Sequence, residues 1–151
     1  MTAKRQAAGS QSGAALLELA LILPLLVVMA LTVTELGRAL WHYKVLAQSA
    51  REAARYLSTQ TPGTGAEQAR NLVLYGTLAG GGAFQLSGLT AAQPVQVSWQ
   101  RQGSTLALVS VTVVGYRFDS MTASAFGVRL GPITFSDIRA SMRAASCGSV
   151  C

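Results

Sequence analysis

The sequence predicts an α+β fold in which a long N-terminal helix and a second, short helix accompany a small antiparallel sheet of about three strands. Three observations predict it. Residues 14–33 are almost wholly apolar, and residues 34–58 repeat apolar side chains every three or four positions, as an amphipathic helix does. Within residues 95–143, apolar and polar side chains alternate in several short segments, which is typical of half-buried strands.

The apolar run at residues 14–33 is long enough to span a membrane. Its only formal charge is Glu18. As a helix the run would be about 30 Å long, which matches the hydrocarbon core of a bilayer. A buried core helix is the alternative, but the rest of the chain is too short to enclose such a segment. We therefore predict a transmembrane helix.

A short basic leader, residues 1–13, precedes this run. Lys4 and Arg5 followed by an apolar segment give the order of an export signal. An ordinary secretory signal ends in a small-x-small cleavage site, and residues 32–39 offer only poor sites of this kind. An ordinary secretory signal therefore does not explain the leader.

The helical pattern continues to about Ser58, because no strong helix breaker comes before Thr61-Pro62-Gly63. Pro24 lies inside this helix, where it predicts a kink or a lost hydrogen bond. Trp41 and Tyr43 follow the predicted span closely and are candidate interfacial anchors. The predicted apolar stripe of the second half comprises Leu36, Ala39, Leu40, Tyr43, Leu46, Ala47, Ala50, Ala53, Ala54 and Leu57.

The remaining residues, 64–151, predict a small α+β head. Thr64 and Glu67 have the spacing of a capping box and predict the start of the second helix, which the glycines at 80–82 end. Its predicted packing face is Ala69, Leu72, Val73 and Gly76. Strands are predicted around residues 95–100, 105–118 and 137–143, with a hairpin turn at 101–104 and a loop at 119–131.

No arrangement of residues predicts catalysis, a metal site or a cofactor, so we predict no enzyme. The single histidine, His42, has no nucleophile motif beside it, and the six acidic residues are scattered singly. Glu35 with Arg38 and Glu52 with Arg55 have i,i+3 spacing and predict helix-surface pairs. The net charge is +6, but the arginines form no basic run interleaved with aromatics, so no nucleic-acid partner is predicted.

Two cysteines, Cys147 and Cys151, close the sequence. No second cysteine pair or histidine lies nearby, which makes zinc binding a poor interpretation. In an exported protein a disulfide is the better one, and it would gain only about 2 kcal/mol because the loop is so small. Two free thiols are the alternative if this end faces the cytoplasm.

The leader ending in Gly13, the carboxylate of Glu18 five residues on, and the apolar helix running into an amphipathic one resemble the type IV pilin superfamily. The resemblance is closest to TadE-like proteins (TadE/TadF), the minor pilins or pseudopilins of tight-adherence (Tad/Flp) pili. It is carried by GAALLELALILPLLVVMAL (residues 13–31), ELGRALW (35–41) and AQSAREAARYLS (47–58).

This resemblance implies a pilin-like fold and cleavage by a prepilin peptidase between Gly13 and Ala14. Glu18 then becomes the fifth residue of the mature chain. A carboxylate at the centre of a membrane helix costs about 2.5–3.5 kcal/mol, and less near an edge. Because cleavage creates a positive amine at Ala14, Glu18 could pair with its own N-terminus or with that of a neighbouring subunit. Pro24 would allow local unwinding in a filament core.

The implied location is the inner membrane, with one span, a cytoplasmic N-terminus and a periplasmic head, before any entry into an extracellular pilus. The implied partners are the prepilin peptidase, other pilins or pseudopilins of the same pilus, and the Tad assembly platform. Further residues match the family pattern in two groups; we interpret the segment that holds the second group as a helix face under the sheet. They are Glu35, Gly37 and Arg38, and then Arg51, Glu52 and Arg55.

Three functional hypotheses follow. The first is a minor pilin or pseudopilin that primes, caps or scaffolds a Tad pilus. The second is a single-pass inner-membrane scaffold of the Tad secretion apparatus that does not enter a filament. The third and weaker one is a membrane-anchored periplasmic enzyme or binding module.

Overall fold

A computed structural model of the chain describes residues 11–102, 105–120 and 133–144. Most of the predicted leader, part of the hairpin turn, most of the predicted loop and both cysteines lie outside these residues. The predicted α+β fold, with its long helix, second short helix and three-stranded antiparallel sheet, is confirmed. The elements are α1 (Gln11–Ser58), α2 (Ala66–Tyr75), β1 (Val95–Gln102), β2 (Thr105–Val113), β3 (Arg117–Phe118), β4 (Ile133–Thr134) and β5 (Ile138–Arg143).

The long helix α1 runs through 48 residues without interruption, which makes it about 70 Å long. It continues through Pro24, whose missing N–H removes one helical hydrogen bond. The helix ends as predicted at Ser58. The N–H groups of Thr59 and Gln60 bond back three residues, to the carbonyls of Tyr56 and Leu57 at 3.2 and 3.1 Å, which closes the last turn.

The main sheet has the order β1-β2-β5, with both pairings antiparallel. The predicted alternation sets its apolar face. Val111 lies between Val97 of β1 and Ala140 of β5. The neighbouring rows of paired residues on this face, through Val109 and Val113, are also apolar across all three strands. This face rests on α1, and its central strand is the most deeply buried. The buried side chains of this face are Val109, Val111, Val113, Ile138 and Ala140.

We call residues 34–58 the upper half of α1 and the residues before them its lower half. The core lies between the apolar face of the sheet and the upper half. Ala50, Ala53 and Ala54 are fully buried in the contact. Because alanine side chains are small, they let the helix backbone come close to the sheet. Leu46 and Leu57 lie below and above these alanines, respectively, along the same face and are also fully buried.

The predicted apolar stripe is correct in its upper part and at Ala39, and wrong at three positions near its lower end. Leu36, Leu40 and Tyr43 are 60%, 61% and 47% exposed, whereas His42 and Ser49 are 5% and 4% exposed. Hydropathy counts histidine as polar, but His42 contacts the aromatic rings of Tyr116, just before β3, and Phe118, within β3. These distant partners decide which face of α1 is buried.

The predicted capping box of α2 does not form. The helix begins at Ala66 with Gly65 at the N-cap and no side-chain cap. The Thr64 hydroxyl instead donates to the Thr61 carbonyl at 2.7 Å, a local turn contact that competes with capping.

The second helix also ends earlier than the triple glycine at residues 80–82. Gly76 takes the left-handed C-cap conformation that glycine tolerates best, with φ 73°, and its N–H donates to Leu72. Ala69, Val73 and Leu74 are its buried residues, so Gly76 belongs to the cap and not to the packing face.

The predicted strand 105–118 is divided in the structure. β2 ends at Val113, and β3 pairs with β4 in a separate two-stranded sheet. The Val114 N–H bonds to the Pro94 carbonyl at 3.1 Å, which continues the contact with the β1 side past the end of β2. The chain then turns Tyr116 and Phe118 into the core, where both are 1% exposed.

Candidate functional site

The lower half of α1 is exposed on every side. All residues from Gly13 to Ala30 are solvent-exposed, including the large side chains of Leu16, Leu17 and Leu21. By length and composition, α1 is suited to crossing a membrane, and the most apolar 18-residue stretch has no buried residue. In the described residues, these properties of α1 are consistent with one membrane-spanning helix.

Polar side chains where the two halves meet are compatible with an apolar environment. The hydroxyls of Thr32 and Thr34 donate to the carbonyls of Val28 and Ala30 at 2.8 and 2.9 Å. A hydroxyl satisfied within its own helix costs much less to place in lipid than one without a partner.

Glu18 lies on this exposed surface, one helical turn from Ala14. Residues four apart on a helix are neighbours on its surface, so the Glu18 carboxylate can reach the main-chain nitrogen of Ala14. Gly13 is also helical, and a side chain placed there would meet nothing within 4 Å. Gly13 and Ala14 are therefore both at an open surface.

The Glu35–Arg38 pair, predicted from its spacing, is present where α1 reaches the head. Arg38 Nη1 lies 3.1 and 3.0 Å from the two carboxylate oxygens of Glu35. The Arg38 guanidinium also lies over the Phe118 ring, 5.3 Å from its centroid. This ion pair therefore connects α1 to β3 through a cation–π contact, besides linking two turns of the helix.

The second predicted pair is replaced by another contact. Glu52 accepts a hydrogen bond from Gln48 Nε2 at 3.1 Å, and the structure gives it no ion pair with Arg55. Arg51, Glu52 and Arg55 are exposed, while the alanines between them pack under the sheet. The interpretation of AREAAR as a helix face under the sheet is therefore correct for its alanines, whereas its three charged residues lie outside the contact.

His42 is the centre of a buried aromatic cluster between α1 and the head. We call His42, Tyr116, Phe118 and Phe135 the junction cluster. The His42 ring lies 5.1 Å from Phe118 in an edge-on arrangement, and Tyr116 lies 5.6 Å from Phe135. These side chains come from α1, from the β2–β3 connection, from β3 and from the residue after β4, so the cluster ties the helix to the head at one point.

A chain of hydrogen bonds runs through the junction cluster. Tyr116 Oη donates to the Ser87 carbonyl at 2.8 Å and lies 2.7 Å from His42 Nδ1. Because the phenol has one proton and uses it on Ser87, His42 Nδ1 must be the donor to Tyr116. The hydrogen-bond network therefore fixes the tautomer of the neutral imidazole.

The surroundings of the cluster favour its neutral form. Burial lowers the pKa of His42, and the Arg38 cation lowers it further. Burial raises the pKa of Tyr116, with a further increase from Asp119 and an opposing effect of Arg38. At neutral pH His42 and Tyr116 are both uncharged, which suits a structural contact.

We expect the stability of the protein to fall in mildly acidic solution because of His42. Its pKa in the fold lies below the ordinary value of 6.5. The unfolded chain therefore takes up the proton first as the pH falls. Stability is complete above about pH 6.5 and is lost as the pH falls through the folded-state pKa.

Urea unfolding of the full chain at pH 7.5 and pH 5 measures this effect. Since His42 is the only histidine, a His42→Phe variant removes the histidine contribution and leaves that of the carboxylates. The midpoint should fall more between the two pH values in the natural chain than in the variant. Equal falls would show that His42 does not titrate differently in the two states.

The cluster holds the head to α1 and shows no catalytic arrangement. In the three described ranges, no group of three His, Cys, Asp or Glu side chains is placed to hold a metal ion. Sequence reasoning missed Tyr116 and Phe118 as partners of His42. The available signal was the concentration of aromatic residues near His42 and at residues 116–118.

Comparison with protein-family models finds a match for one segment of the chain. Residues 13–55 match the family model described as TadE-like protein. The match begins at Gly13 and includes the apolar run, the Glu35–Arg38 pair and most of the alanine-lined face. No curated protein and no solved structure matches the chain. Over residues 13–55 the long helix is therefore similar to that of TadE-like proteins, a family of Tad pilus components.

Proposed function

We propose that this chain is a minor pilin or pseudopilin that joins a Tad pilus after a prepilin peptidase cuts between Gly13 and Ala14. The observation that carries the proposal is the division of α1 into two halves. Residues 13–30 are exposed on all sides, whereas the upper half binds the head through one face. The lower half thus has no cover from its own head and needs lipid before assembly and other helices after it.

Glu18 gives the lower half its assembly chemistry. A carboxylate in an apolar surrounding is costly alone, and so is the amine that cleavage creates at Ala14. Their attraction is strongest where water is absent, as between packed helices. Glu18 of one subunit pairs with the N-terminus of its own chain before assembly and with that of a neighbour in the assembly.

Pro24 contributes to the same transition. Proline has no N–H, so the carbonyl four residues earlier, at Ala20, lacks its usual helical partner. A helix weakened at this point unwinds locally at a lower cost than an uninterrupted one. This freedom lets the lower half adjust as it leaves lipid and packs against other subunits.

The proposed topology has a cytoplasmic N-terminus, one span at residues 14–33 and a periplasmic head. The prepilin peptidase and the Tad assembly platform are the proposed partners at the membrane. In the oxidising periplasm Cys147 and Cys151 form a disulfide at the end of the chain. The chain has no role as an enzyme in this proposal and requires no cofactor.

Intact-mass measurement of the protein from its native host tests the cleavage. The expected chain starts at Ala14 and keeps 138 of the 151 residues, because the leader of 13 residues is lost. A chain that still starts at Met1, or one cut after the apolar run, would contradict the proposal.

A Glu18→Gln variant tests the assembly step, because it keeps the side-chain shape and removes the charge. We expect at least a tenfold loss of this subunit from sheared pili, with membrane insertion unchanged. Leu19→Ala is the matched control, since Leu19 is a neighbouring exposed residue without charge. If the natural chain is absent from pili and the variant supports normal pilus formation, the protein is a membrane scaffold instead.

A further inference from the structure

The upper half of α1 has a second face, opposite the head, that the fold leaves uncovered. This outer face consists of Gly37, Leu40, Lys44, Gln48, Arg51 and Arg55, all of which are solvent-exposed. At about 100° per residue, these positions lie within an arc of about 80°, on the opposite side from Leu46 and Ala53. The outer face extends over about 27 Å of the helix.

Nothing in the described part of the chain requires glycine at position 37. It lies inside α1 with a helical backbone, and a side chain added there would meet nothing within 4 Å. Glycine in a helix interior destabilises the helix relative to alanine. A position that costs stability and leaves an open notch is suited to the close approach of another helix.

The charges on the outer face specify what kind of helix approaches. Lys44, Arg51 and Arg55 give it three cations at intervals of one or two turns, and Glu52 lies to one side with its carboxylate bonded to Gln48. Below Lys44 the face is apolar. The complementary surface is therefore apolar near the membrane and acidic beyond it.

A second copy of this chain does not fit that surface. Two copies anchored in the same membrane by the same helix stand parallel and at the same height. Their outer faces then bring Lys44, Arg51 and Arg55 near their own counterparts, and like charges repel. A shift of one turn still sets Arg51 beside Arg55.

From the notch and the charges together, we infer that the outer face binds an acidic helix of a different subunit, with the closest approach at Gly37. This inference rests on the proposed function, because it takes the partner to be another helical pilus subunit in the same membrane. It adds that the chain pairs with a different protein and does not polymerise with itself.

Photocrosslinking in the native host tests the inference with the full-length chain. A benzoylphenylalanine replaces Gln48 at the centre of the face, and Ser98, exposed on β1, is the control position. We expect an adduct from position 48 with a different membrane-anchored subunit, joined at a helix that carries carboxylates. The paired variant Arg51→Glu with Arg55→Glu should lower its yield at least tenfold, and changing the partner's carboxylates to lysine should restore it.

The matched control for charge is Arg101→Glu with Arg143→Glu, two exposed arginines of β1 and β5. This pair should leave the adduct unchanged. An adduct of two copies of this chain, an adduct with a partner that has no carboxylates there, an adduct insensitive to Arg51 and Arg55, or no adduct from position 48 would each overturn the inference.

Gly37→Ala provides an independent measurement. Alanine should raise the thermal midpoint of the purified full-length chain, because it favours the helix, and lower the crosslinking yield, because it fills the notch. An unchanged yield would overturn the role of Gly37. Leader removal and membrane insertion should be normal in every variant, so their failure counts against the proposed function and not against this interface.

Discussion

Replacing Tyr116 with alanine is expected to lower the free energy of unfolding by about 3–5 kcal/mol, the range for large buried aromatic side chains. The Tyr116 ring is 1% exposed and contacts His42 and Phe135. Its loss leaves a cavity, and it also leaves His42 Nδ1 and the Ser87 carbonyl without their shared partner. Since domains are typically stable by about 5–15 kcal/mol, this change removes much of the total.

Two variants separate the causes of this loss. Tyr116→Phe keeps the ring and removes the hydroxyl, so it should cost about 1–3 kcal/mol. Tyr43→Ala removes the same type of side chain from the 47% exposed position beside Phe135, and should cost no more than about 1.5 kcal/mol. The measurement is urea unfolding of the full chain in detergent. If Tyr43→Ala costs as much as Tyr116→Ala, the junction cluster is not the centre of stability that the structure indicates.

The second large effect is expected at Gly88. This residue has φ 97°, in the left-handed region that favours glycine, and a side chain there would lie 2.9 Å from the Arg117 carbonyl oxygen. Gly88→Ala therefore combines an unfavourable backbone conformation with a backbone clash. We expect a loss of about 2–4 kcal/mol. The clash would also displace Ser87, the hydrogen-bond acceptor of Tyr116.

Gly81→Ala is the matched control for this prediction. Gly81 has φ 82° but nothing within 4 Å of an added side chain. Its substitution carries only the conformational cost, about 1–2 kcal/mol. The difference between the two variants in urea unfolding measures the clash alone. Equal losses would mean that the loop moves away from Arg117 at no cost.

The strands were predictable because their pattern is local. Val95, Val97 and Trp99 alternate with polar residues in the sequence, and they lie on the apolar face of β1 in the structure. Ile138 and Ala140 behave in the same way in β5. An alternation of period two survives folding because a shift by one residue would turn every apolar side chain outward.

The junction cluster was not predictable in the same way. His42 is separated by 74 residues from Tyr116, and only the fold brings them together. From the sequence alone, hydropathy places Tyr43 on the buried face of α1 and the histidine on its polar face. Long-range hydrogen bonds of this kind leave no periodic signal in the sequence. The prediction of which residues of α1 are buried was therefore wrong around His42.

The ends of α2 were wrong for a more local reason. The Thr64 hydroxyl lies within hydrogen-bond distance of both the hydroxyl and the carbonyl oxygen of Thr61. These contacts compete with capping of the helix by Thr64. Gly76 and the glycines at 80–82 are equally able to end a helix by residue type. The Gln85 side chain decides between them, since its Nε2 donates to the Leu72 carbonyl at 2.7 Å beside the new terminus.

The unbroken course of α1 has a geometric consequence for the direction in which the head faces. No loop separates the exposed lower half from the buried face that begins at Ala39, so both share one helical register. Inserting a single residue between them would turn the head by about 100° about the helix axis, whereas seven residues would return it to within about 20°. The number of residues between the lower half of α1 and the buried face therefore fixes the direction in which the head faces about the helix axis.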